Sequence, residues 1–238
     1  MKYFRVALVA VAVCMLALFA VFSSASTLAQ VQEAPDNEGF EPLFNGENLT
    51  GWQGDPRLWS VEDGMIVGST EGVDIEHNTF LSTEKSYSDF VLRAKVKLRN
   101  HNSGIQFRSE QRDDYVVAGY QADVAEKTYF GMLYEEKLRG ILPYWNEYTQ
   151  EERDKINGMA KAGDWNEYEI TCQGDKITMV LNGYTTCDIV DPDGAKEGII
   201  ALQLHTGPSM KVYFKDLSIK NLTRDSAEDS EDGEVSSE

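Results

Sequence analysis

Between residues 39 and 222 apolar side chains recur at alternate positions in short runs separated by Gly, Asn and Asp, with no long helical periodicity and no internal repeat. A period of two is the mark of strands with one face buried. The pattern predicts strands at 78–82, 90–98, 104–108, 116–124, 129–134, 167–172, 176–181, 185–190, 199–205 and 211–219. Short strands joined by turns predict an all-β chain of two packed sheets or a jelly roll rather than an open sheet. The stretch 143–163 departs from this, with Glu147, Gln150, Glu151, Glu152, Arg153, Asp154 and Lys155 around Tyr144, Trp145 and Tyr148. It predicts a loop with a short surface helix, a kind of excursion that is often functional.

Alternation also sorts side chains by face. In 199–205, Ile200, Leu202 and Leu204 share one side while Gln203 and His205 share the other. Ile105 and Phe107 oppose Gln106 and Arg108, and Tyr120, Ala122 and Val124 oppose Gln121 and Asp123. Three strands thus each offer two polar groups on one face. Ordinary solvent-facing residues would account for this, but a merely wetted face more often carries Thr, Lys, Glu and Ser. Planar groups able to donate and accept in pairs are what polyhydroxyl ligands need, so carbohydrate is the expected ligand class.

The N-terminus changes the expected compartment. Lys2 and Arg5 flank an apolar run from Val6 to Phe22, followed by small and polar residues to Gln30. This reads as a secretory signal peptide over residues 1–29, cut after Ala29, in preference to a membrane anchor or to a lipoprotein modified at Cys14. The expectation is an exported protein, periplasmic or extracellular, with a flexible segment at 30–38, one domain at 39–222 and no membrane association after cleavage. A formal charge of −18 argues against nucleic acid and anionic lipid as partners. Residues 223–238, rich in Asp and Glu and without an aromatic, predict a disordered acidic tail, and deletion of Asp225–Glu238 is expected to spare folding and binding.

Two cysteines remain after the cut. Turns at Gln173-Gly174-Asp175 and Asn182-Gly183 put Cys172 and Cys187 on the first and third strands of a meander, about 9–10 Å apart and too far to bridge. No His, Cys and carboxylate spacing specifies a transition metal, and no cofactor is expected. The run Asp191-Pro192-Asp193-Gly194 reads as well for a plain turn as for a calcium loop. Trp52, Trp59 and Trp165 are assigned to the core, and His77 and His101 receive no role.

A run of motifs along the chain adds a resemblance. Leu43-Phe44-Asn45-Gly46, Leu49-Thr50-Gly51-Trp52, Asn102-Ser103-Gly104-Ile105-Gln106-Phe107-Arg108 and Gly119-Tyr120-Gln121-Ala122-Asp123 come first. Leu133-Tyr134-Glu135-Glu136, Trp165-Asn166-Glu167-Tyr168, Leu181-Asn182-Gly183 and Ala201-Leu202-Gln203-Leu204-His205-Thr206-Gly207-Pro208 follow. In number and order they resemble the 3-keto-disaccharide hydrolase family, from Phe40 to Leu222. The resemblance implies a concanavalin-A-like jelly-roll sandwich of two antiparallel sheets. It also implies cleavage of 3-keto-glycosides or oxidised disaccharides. The acidic tail and the 143–163 excursion are not matched parts of the pattern. Retaining glucanases of the same superfamily carry Glu-x-Asp-x-x-Glu, whereas here the run reads Gln121-Ala122-Asp123-Val124-Ala125-Glu126. An amide at the first position cannot serve as the nucleophile of double displacement.

The chemistry implied for a 3-keto sugar needs a base, an oxyanion partner and an acid. Asp123 and His205 are the candidates for base and acid in either order, and Arg108 with Gln106 or Gln203 for the oxyanion partner. Gln121, Tyr120, Tyr134, Glu135, Lys137 and Trp145 complete the expected substrate contacts. A second class of function uses the same face, as a non-catalytic carbohydrate-binding module. A base positioned over the sugar's C2 distinguishes the two.

Overall fold

The computed structural model describes residues 37–222. The expected signal peptide and acidic tail, and most of the flexible segment at 30–38, lie outside the described residues. The strands are β1 (Glu41–Pro42), β2 (Trp52–Gln53), β3 (Trp59–Glu62), β4 (Met65–Ser69), β5 (Thr79–Tyr87), β6 (Phe90–Leu98), β7 (Asn102–Gln111) and β8 (Val117–Ala125). They continue with β9 (Leu133–Glu136), β10 (Gly140–Ile141), β11 (Asn166–Gln173), β12 (Lys176–Leu181), β13 (Tyr184–Val190), β14 (Gly198–Leu204) and β15 (Lys211–Asn221). Two helices, α1 (Pro143–Glu147) and α2 (Gln150–Met159), occupy the excursion, where the sequence predicted one. Pro143 opens α1, and a reciprocal capping box between Thr149 and Glu152 starts α2.

The strands form two antiparallel sheets, the jelly-roll sandwich expected. One runs β13-β12-β11-β6-β15-β4-β3 with β1 against β15, and the other runs β10-β9-β8-β7-β14-β5-β2. The core fills the space between them. In β6, Phe90, Leu92, Ala94, Val96 and Leu98 are buried, while Val91, Arg93, Lys95 and Lys97 face outward. Phe90 meets Phe107 of the opposite sheet edge to face at 6.5 Å. Trp52 and Trp59 are in this core, but Trp165 is not. It lies half-buried beneath the ammonium groups of Lys97 and Lys215, at 5.1 and 4.2 Å from its ring. It immediately precedes β11, and these two outward lysines place it on the outer face of the eight-stranded sheet.

Cys172 and Cys187 are free and buried, on β11 and β13 with β12 between. Burial pushes both thiols up to about 12, so they remain protonated and unreactive near neutral pH.

Candidate functional site

Strand β8 is buried along all nine of its residues, so its outer face is as enclosed as the face turned to the core. That outer face is polar. Register places Ala201, Gln106, Gln121 and Tyr134 in one row across β14, β7, β8 and β9. One step of alternation along, Asp123 lies opposite Gly104 and Gln203 opposite Phe80. Asn78, immediately before β5, donates from Nδ2 to Glu136 Oε1 of β9 at 3.4 Å. Four strand spacings separate β5 from β9, about 19 Å in a flat sheet. The contact therefore spans a strongly concave face, whose rims approach one another above the amide row.

Asp123 is the centre of this face. Its backbone is fixed on three sides: the N–H donates to Met132 O at 2.9 Å, and the carbonyl accepts from Gly131 N at 3.1 Å and Tyr168 Oη at 2.6 Å. Its carboxyl accepts from Gln121 Nε2 at 2.7 Å, and among the described residues no cation forms an ion pair with it. The side chain retains 5 % exposure. Loss of hydration pushes its pKa up to about 7, the Gln121 N–H pulls it down, and the nearby Glu136 charge raises it further. Burial raises Glu136 in turn, opposed by Lys137, Asn78 and His205.

Gln203 is wholly buried, and neither amide atom of its side chain has a hydrogen-bond partner. Such a group is costly unless a ligand or water completes it. His205, just past β14, holds the Thr206 carbonyl through Nδ1 at 2.6 Å, and His101 Nε2 meets the same carbonyl at 3.1 Å. The two imidazoles pack edge to face at 4.9 Å. His101 thus belongs with His205, a role the sequence had not given it.

Arg108 is the largest correction. Alternation put it beside Asp123, but β7 bulges between Phe107 and Glu110 relative to β8, so the side chains exchange sides. Arg108 has φ 46° and points into the sandwich at 1 % exposure. There it donates to Ser88 O, Gly174 O and Asp89 Oδ1 at 2.7, 2.8 and 2.8 Å. Ser109 takes its place on the polar side. Gly119 and Gly198 make room for the bulge, since a Cβ on either would come within 2.4 Å of Ser109 atoms.

Other expected contacts also lie elsewhere. Tyr120 is on the core side, stacked on Phe107 at 5.6 Å, with its hydroxyl on Asp191 Oδ2 at 2.5 Å. Glu135, the register partner of Tyr120, stands on the same side and pairs with Arg139, which also binds Asp191 at 2.6 Å. Asp191 therefore serves an ion-pair network. Among the described residues no group of three His, Cys, Asp or Glu could hold a metal ion. Trp145 is buried to 3 % exposure against Tyr144 and Tyr148. Lys137 follows β9 as an exposed residue with φ 58°. Tyr134 is on the face and half-buried. The residue that accompanies it is Glu136, two positions on, and not Glu135. Period two alone could have made that choice.

No curated protein matches the sequence. Among solved structures, a candidate glycosyl hydrolase of Parabacteroides distasonis superposes with a TM-score of 0.57 at 24 % identity, over 78 % of this chain and 95 % of its own. A second candidate glycosyl hydrolase of that organism gives 0.54 at 22 % identity, over 77 % and 99 %. The carbohydrate-binding module CBM66 of Bacillus subtilis gives 0.51 at 16 % identity, over 72 % and 96 %. These likenesses establish the sandwich fold. The sequence itself matches the 3-keto-alpha-glucoside-1,2-lyase-like domain over residues 39–220, which takes in β1 through nearly all of β15. By that match the chain belongs to this family and is a carbohydrate-active protein.

Proposed function

We propose that the protein cleaves glycosidic bonds of 3-keto-glycosides by removing the proton next to the carbonyl, with Asp123 as the base. The observation that carries this reading is a buried carboxyl with an amide donor and, among the described residues, no ion-pair partner, poised at about 7 on the floor of a concave polar face. A base works best when its pKa is near the working pH.

In this scheme the C3 carbonyl acidifies the C2–H. Asp123 takes that proton, and the electron pair forms an enolate whose oxygen accepts from the Gln203 amide. The carbonyl then re-forms, C1=C2 forms, and the C1–O bond breaks. The departing oxygen takes a proton from the His205 side of the face, where His205 counters the rise that burial gives the Glu136 carboxyl. Water added across C1=C2 completes hydrolysis. Arg108, bound to Asp89, has no part in it. The charged and apolar pattern of residues 1–29 supports action after export, in the periplasm or outside the cell.

The test is incubation with a 3-keto-glucoside in D₂O, reading released sugar and deuterium at C2. Asp123→Asn keeps shape and hydrogen bonding, and should lower kcat by about 10²–10⁴-fold with little change in binding. For the parent, kcat/KM should rise with pH and level off above about 7, as the carboxylate forms. Binding of the sugar by parent and variant alike, with neither cleavage nor exchange by the parent, would leave a carbohydrate-binding module instead.

A further inference from the structure

The carboxyl of Asp123 ends a chain of hydrogen bonds with a single direction. Ser109 Oγ donates to Gln106 Oε1 at 2.7 Å, Gln106 Nε2 to Gln121 Oε1 at 2.9 Å, and Gln121 Nε2 to Asp123 Oδ1 at 2.7 Å. All four residues are buried, so a reversed amide has little water to repair it. Phe107 O and Tyr120 O lie 2.9 and 3.3 Å from Ser109 Oγ, and its one hydrogen serves Gln106 Oε1, the nearest of the three acceptors. Two glycines leave the space the chain occupies. A Cβ on Gly104 would lie 2.3 Å from Gln121 Cδ, and one on Gly119 would lie 2.4 Å from Ser109 Oγ.

We propose that Ser109, Gln106 and Gln121 are positioning residues that act on Asp123 as a directional relay, holding Oδ1 as an acceptor so that proton exchange with the substrate occurs at Oδ2. This rests on the reading of Asp123 as the base. A carboxylate accepts and an amide does both, so the order of groups decides which end of Gln121 meets Asp123. With its oxygen engaged by Gln106, Gln121 has only its N–H to offer, and an N–H favours the ionised carboxylate. The bulge that removes Arg108 from the face delivers Ser109 to the start of the relay.

Gln106→Glu tests the direction at nearly constant shape. A carboxylate at 106 can only accept, so Gln121 must turn its N–H toward it and its oxygen toward Asp123, which then holds its proton. Gln106→Met removes the upstream donor without adding charge. The readout is the titration of the Asp123 side-chain carbon by ¹³C NMR on the full folded domain, with the pH profile of cleavage beside it. We expect the titration midpoint to move up by about one pH unit or more in Gln106→Glu and by about half a unit in Gln106→Met, scaled from the worth of one hydrogen bond. The cleavage profile should move with it. An unmoved midpoint in folded Gln106→Met overturns the relay even if Gln106→Glu does not fold. Midpoints that move as stated, in a parent that cleaves no 3-keto-glycoside, keep the relay and remove the catalytic reading, so the two failures are distinct.

Discussion

Two of the buried carboxylates, Asp89 and Asp123, are held in opposite ways. Asp89 sits against the Arg108 guanidinium, whose other N–H groups are taken by backbone carbonyls of Ser88 and Gly174. Asp123, on β8, accepts from the Gln121 amide, and among the described residues no cation forms an ion pair with it. A buried charge given its opposite and enough hydrogen bonds is a structural fastening, whose loss is more costly than its presence is beneficial. A buried carboxyl given only dipoles stays close to the point where it exchanges a proton. The cation in the motif, chemically the most suggestive residue, marks the fastening, while the plainer amides line the face where the chemistry is proposed.

The largest effect that could break this contrast is the removal of Arg108. Arg108→Met should destabilise the domain by about 3–5 kcal/mol, read from urea unfolding, because it takes the guanidinium from buried Asp89. The folded fraction should keep its sugar specificity. Changed specificity with unchanged stability would return Arg108 to the site.

The next effect is at Asp123 and depends on pH. Its pKa is raised in the folded state, so the native protein binds the proton more tightly than the unfolded chain does. The stability this gives is complete below about pH 4, declines as pH rises, and is lost above about 7. Asp123→Asn should match the parent near pH 4 and exceed it above pH 7, by up to on the order of 4 kcal/mol. Unfolding curves for both proteins across that range isolate this group, because the remaining carboxylates are common to them. A constant difference would mean that Asp123 is an ordinary carboxylate.

Gln203 sharpens the same distinction with a smaller change. Gln203→Met removes a buried amide with no partner, and should stabilise the free protein by about 1–3 kcal/mol while weakening turnover. Lower stability would show that the amide is satisfied without ligand. The smallest effect is expected in the network on the core side, where Tyr120→Phe removes one hydrogen bond to Asp191. About 1 kcal/mol should be lost, with the pH profile of cleavage unmoved.

Much of this was legible along the chain. Period-two alternation gave most of the strands that form both sheets, including Phe90–Leu98 and Lys176–Leu181 at their observed limits, but the strand expected at 129–134 begins only at Leu133, after a turn at Phe130 and Gly131. The short pieces β1 to β4 and β10 escaped it, since a few residues hold too little of the period to register. The side on which Gln106, Gln121, Asp123 and Gln203 each stand followed from alternation within their own strands, whereas the adjacency of β8, β7 and β14 that makes it one shared face did not.

What the sequence alone determined is therefore local: strand identity, the side on which each regular residue stands, and the family motifs from Phe40 to Leu222. Tertiary structure decided the rest. One extra residue in β7 exchanged Arg108 for Ser109, and nothing in the spacing Gln-Phe-Arg-Ser announces a bulge that Gly119 and Gly198 on other strands make possible. Curvature of the sheet brought Asn78 to Glu136 across three strands, a contact between residues 58 positions apart. Burial moved Asp123 up to about 7 where any exposed Asp would titrate near 4. Each of these depends on which strand lies beside which and on how far the sheet bends. Alternation within one strand is blind to both, because it fixes the direction of a side chain but not its neighbours.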